Sequence, residues 1–80
     1  MNMTKEKLIA MLELLVKENH IWFVLGSLIS SDNSLETKMF NLNFSKELLQ
    51  VVDETNIEEQ TKEKIKNHLK DAIDVLRKEI

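Results

Sequence analysis

His20 and His68 are the chain's only imidazoles. Either would need a second donor at a recognised spacing to hold a metal, and a desolvated partner to act as a general base. Neither has one. The chain lacks Cys, so thiolate ligation and disulfide stapling are closed to it. His68, with Asp71 three residues on and Lys64 four back, has the texture of a solvated helix face, and His20 reads as a helix-end or rim residue.

Carboxylates occur in close pairs, Asp53 with Glu54, Glu58 with Glu59 and Asp71 with Asp74. General acid-base work requires two carboxyls in unlike environments, one of them desolvated in a cleft. These are interspersed with lysines and read as helix caps and solubilising surface. Serines 27, 30, 31, 34 and 45 have no G-x-S-x-G setting, and the single Gly26 cannot build a phosphate-binding loop. The run "SDNS", residues 31–34, offers Asp32 and Asn33 as oxygen donors but lacks the alternating acids, central Gly and closing Glu of a calcium loop. It reads as a turn. No metal or cofactor is expected, and the chain reads as non-enzymatic.

The elements that would position any of these groups have to fit one small domain of 80 residues. A chain of that length buries only about 60 to 65% of its unfolded surface and often gains stability by oligomerising. At 42% apolar and 31% charged residues it has enough apolar content to fold. The net charge of −3, with signs mixed along the chain, offers no broad positive field for nucleic acid or anionic lipid. Residues 1–20 carry Lys5, Glu6, Lys7 and Glu13 among their apolar positions and no small-residue cleavage site, unlike a signal peptide. Residues 21–29 are too few to cross about 30 Å of hydrocarbon. The expected address is the cytoplasm. Arg77 is the single arginine among many lysines, and Asn is frequent, a bias of AT-rich coding sequence such as that of low-GC bacteria, phages and mobile elements.

Three helices are expected. Thr4 is an N-cap with Met3 and Leu8 at staple positions, Leu8, Met11, Leu12 and Leu15 recur at helical spacing, and Asn19 suits the left-handed residue after a helix end. A second helix, from Lys46 to about Glu54, is predicted from Ser45 as N-cap and a Phe44/Leu49 staple. The third follows an Asn56/Glu59 capping box and carries Ile65, Leu69, Ile73, Leu76 and Ile80 on one side.

Between the first two lie the only Trp, the only Gly and all three Phe. "IWFVL" is rich in β-branched and aromatic residues, "SSDNS" is a cluster of turn formers, and "FNLNF" alternates apolar and polar. These predict a hairpin with strands at 21–29 and 35–44. The fold class expected is thus α+β and mostly helical: helix, β-hairpin, two helices. The alternative is an all-α three-helix bundle in which the first helix runs on through residue 30 and another starts at Asn33, with Glu36 in capping-box position.

Strand alternation puts Ile21, Phe23, Leu25 and Ile29 on one face of the first strand and Trp22, Val24 and Leu28 on the other. Both faces are apolar, so one needs cover from outside. Trp22, Val24 and Leu28, with Met39 from the second strand, are the expected partner-binding residues. The chain is accordingly expected to be a protein-protein interaction module, a small bacterial or phage regulator or inhibitor that self-associates and binds another protein. The alternative is a nucleic-acid-associated regulator using Lys62, Lys66 and Lys70 along one face of the last helix. Within residues 56–80, however, Lys62, Lys64, Lys66, Lys70, Arg77 and Lys78 are matched one for one by Glu58, Glu59, Glu63, Asp71, Asp74 and Glu79.

Overall fold

The first helix begins where its cap chemistry puts it. In the computed structural model, which describes residues 3–30 and 33–80, α1 (Lys5–Lys17) opens with the Thr4 hydroxyl accepting from the Lys7 N–H at 3.2 Å. Met3 packs against the core as the staple requires. The helix stops at Asn19, which has φ 59°. The His20 N–H returns to the Leu15 carbonyl and the Asn19 N–H to that of Val16, the paired bonds of a Schellman ending. Asn tolerates the left-handed region because its short polar side chain bonds locally, whereas a Cβ-bearing apolar residue is strained there. Asn19→Ala is therefore expected to cost about 1 kcal/mol. Asn19→Gly should be at least as stable as the parent. Urea midpoints of the two variants check this, and equal midpoints would mean that the turn carries no strain.

The predicted hairpin is not there. Among the described residues the chain has four α-helices and no strand: α1, α2 (Ile21–Ser27), α3 (Leu35–Val51) and α4 (Glu59–Glu79), with a 3-10 turn at Val52–Glu54. The α+β class is overturned and the all-α alternative holds, with four helices in place of three. Ile21, Leu25 and Leu28, at i, i+4 and i+7, all turn inward only if the backbone is helical, and all three are buried. Burying three aliphatic side chains is worth roughly 1.5 to 3 kcal/mol each. Poor helix propensity at Ile21, Trp22, Phe23 and Val24 costs at most about 0.7 kcal/mol each. Burial wins, and a seven-residue helix that would be marginal alone is held by the core beneath it.

The second misplaced element is the helix start at Ser45. α3 runs through that position without a break, and its N-cap is Ser34, whose hydroxyl accepts from the Thr37 N–H at 3.2 Å. The alternative cap at Asn33 is thereby also displaced by one residue. Ser45 is fully buried, its hydroxyl donating to the Asn41 carbonyl at 2.7 Å. Asn41 is buried as well, and its amide nitrogen donates to the Leu28 carbonyl at 3.3 Å, filling an acceptor left open by the end of α2. Asn41, Ser45, Leu48 and Val51 form the inner face of α3, continued by Val52 of the 3-10 turn. Two polar residues that resemble strand and cap punctuation are a buried ladder between two helices. Of the "SSDNS" turn, Ser31 and Asp32 lie outside the described residues.

A third correction concerns the start of α4. It begins at Glu59 with Glu58 at the N-cap position and no side-chain cap bond. The Asn56 backbone N–H instead donates to the Glu13 carboxylate of α1 at 2.7 Å, so a contact across the fold displaces the expected capping box. α3 and α4 are antiparallel neighbours, with Lys38 reaching Glu79 at one end and Lys66 pairing with Asp53 at the other. Leu8, Leu12, Ile21, Leu25, Leu48, Val52, Ile65 and Leu69 make the core shared by all four helices.

Candidate interaction face

Helix α2 decides where the apolar excess goes. Its inner side is Ile21, Leu25 and Leu28, so a step of 100° per residue puts Phe23 at the outermost position, where it is 80% exposed. Trp22 lies on the flank toward α4, and both it and Ile29, just past the helix end, remain partly exposed. Gly26 faces open space: a Cβ built there would meet nothing within 4 Å.

The Trp22 ring meets the His68 ring of α4, with centroids 5.4 Å apart and planes tilted by 52°. The other end of α2 is tied through the Leu28 carbonyl to Asn41, near the start of α3, where the end of α4 also lies. α2 therefore runs alongside α4 in the same direction. The seam between the two helices is marked by the Trp22 and His68 contact. Phe23 stands above it, and the gap at Gly26 lies one turn away.

The four residues predicted from strand alternation do not share a face. Trp22 is on the seam, 39% exposed. Val24 is half-buried on the opposite flank of α2. Leu28, 4% exposed, is core. Met39 is 49% exposed on α3, which also shows Leu35 and Phe40, the latter stacked on Phe44 at 5.8 Å. Phe23 and Ile29, which strand alternation puts on one face with the buried Ile21 and Leu25, are exposed. A 3.6-residue period applied to residues 21–29 would have found them.

The lysine row of α4 is largely engaged. Lys62, 8% exposed, donates to the Asp53 carbonyl at 3.4 Å and pairs with Glu59 at 3.3 Å. Lys66 pairs with Asp53 and Glu63. The hydrogen bond to Asp53 holds the Lys66 ammonium above the ordinary lysine value, and Glu54 does the same for Lys5, which it meets at 2.6 Å. A cleft of about 420 Å³ lies between the start of α1 and the end of α3, over Leu8 and Val51, with the Lys5 and Glu54 ion pair among its walls. Those two charged groups satisfy each other. No described helix is long and apolar enough to cross a membrane.

The Trp22 and His68 contact gives the face an optical reporter. His68→Ala is expected to change Trp22 emission, and His20→Ala to leave it unchanged; emission that ignores His68→Ala would disprove the contact.

Compared with known proteins, the chain matches no family, no curated protein and no solved structure.

Proposed function

We propose that this chain is a non-enzymatic protein-interaction module whose contact surface is the outer side of α2. The observation that carries the reading is Phe23, four-fifths exposed within ten residues, 21–30, that contain no charge, in a chain that is 31% charged. Exposed aromatic side chains on a rigid helix are the usual anchors of protein interfaces, because they bury large area with little loss of side-chain entropy. Trp22 and Ile29 extend the anchor, and the Leu35, Met39 and Phe40 group on α3 adds further apolar surface.

On this reading the chain is a small cytoplasmic regulator or inhibitor, and the Lys and Asn bias of the sequence favours a bacterial or mobile-element source. Such a protein acts by occupying a surface of its target. The nucleic-acid alternative gains nothing from α4, whose lysines are balanced by acids and partly spent on Asp53.

The experiment is a comparison of captured proteins. Wild type is expected to retain a target that Phe23→Asp loses and Leu14→Asp keeps, Leu14 being an exposed apolar residue on α1. A target held equally by wild type and Phe23→Asp would remove α2 from the interface and with it this reading.

A further inference from the structure

We infer that the outer side of α2 docks against the same helix of a second copy, antiparallel about a two-fold axis, with Phe23 of each chain seated over Gly26 of the other. The inference rests on the reading of α2 as a docking surface and names its occupant.

Three observations carry it. The first is shape. Phe23 is the most exposed large apolar side chain described, and Gly26, three residues on, is a gap in the same outward face where nothing lies within 4 Å of a would-be Cβ. A two-fold axis passing between positions 24 and 25 exchanges residue 23 with residue 26 of the partner. One projection and one gap, a single helical turn apart, thus become two projections filling two gaps. Glycine also lets the backbones approach closely at the crossing.

The second observation is charge. In a two-fold interface each residue near the axis meets its own kind, so any charge there faces a like charge. Residues 21–30 contain none. An uncharged surface therefore meets its own copy without a like-charge penalty.

The third is area. A standard interface takes about 800 Å² from each partner, and an aromatic side chain supplies roughly 150 to 250 Å² when fully buried. Phe23, 80% exposed, with Trp22 at 39% and Ile29 at 42%, supplies about a third to two fifths of that standard, the size of a weak, transient contact. The dimer is accordingly one that forms only at high protein concentration.

The test is light scattering or sedimentation of the full chain over a concentration series. Wild type is expected to move from monomer toward dimer mass as concentration rises into the millimolar range, and Leu14→Ala to follow it. Phe23→Ala and Gly26→Leu should remain monomeric throughout. Gly26→Leu separates loss of the interface from loss of the fold. It fills the gap while replacing glycine inside a helix, so its melting temperature in dilute solution should rise above that of wild type as its association disappears. A wild type that stays monomeric, or a Gly26→Leu variant that still dimerises, overturns the proposal. If wild type is monomeric but a captured target is lost in Phe23→Asp, the second copy is wrong and the docking surface stands. If association and capture both ignore α2, both readings fall.

Discussion

Leu69→Ala is expected to lower stability by about 3 to 4 kcal/mol, the cost of deleting a fully buried leucine where the surroundings cannot collapse into the space. Leu69 is fully buried in α4, the helix that packs against both α2 and α3, and it belongs to the core shared with Leu12, Ile21, Leu25 and Leu48. The consequence is severe because the domain is small. At roughly 0.05 to 0.15 kcal/mol per residue, 80 residues hold about 4 to 12 kcal/mol in total, so one truncation removes a large share. Urea unfolding followed by circular dichroism measures it: the midpoint should fall sharply while the slope, which reports the surface exposed, stays the same. A loss under about 1 kcal/mol would mean that no packed core exists at this position. Phe23→Ala, by contrast, should leave the dilute chain nearly as stable as wild type, since that ring is largely in water already.

At the two ends of the chain, much of the structure that follows from neighbouring residues is legible in the sequence. The start, staple and left-handed stop of α1 are local chemistry at Met3, Thr4, Leu8 and Asn19, and all are observed. The body of α4 was legible for the same reason, since Ile65, Leu69, Ile73 and Leu76 bury one side of a long helix. Its first turn was not, because the Asn56 N–H answers to Glu13, 43 residues away in sequence. The middle of the chain misled for a sharper reason. Asn41 and Ser45 are polar and resemble strand alternation and a helix start, yet each has a buried partner supplied by another turn or another helix. Polar residues report exposure only when nothing inside can satisfy them, and no local signal says that Leu28 will present its carbonyl there. The excess of apolar residues around Trp22 was visible in the sequence; its direction depended on a period that short apolar runs do not declare.

Proline at position 46 discriminates the two arrangements of this middle segment in a single measurement. If a helix started at Ser45, Lys46 would be its first residue, where proline is favoured because its missing N–H is unpaired anyway and its φ is already helical. Lys46→Pro would then be harmless. In the helix observed, running Leu35–Val51, position 46 is interior. There proline removes the bond to the carbonyl of Leu42 and drives its ring against that same carbonyl, costing about 3 kcal/mol or more. The damage would also propagate. A kink at 46 separates Asn41 and Ser45 from Leu48 and Val51 on the inner face, and the Asn41 side chain loses its place under Leu28, on which the end of α2 rests. Lys46→Pro is therefore expected to destabilise the domain by an amount comparable to Leu69→Ala and, where the fold survives, to increase hydrogen exchange in α2 as well as in α3. Unchanged stability would restore the break before Lys46. A loss confined to α3, with α2 exchange unaltered, would show that the Asn41 bond does not hold the two helices together.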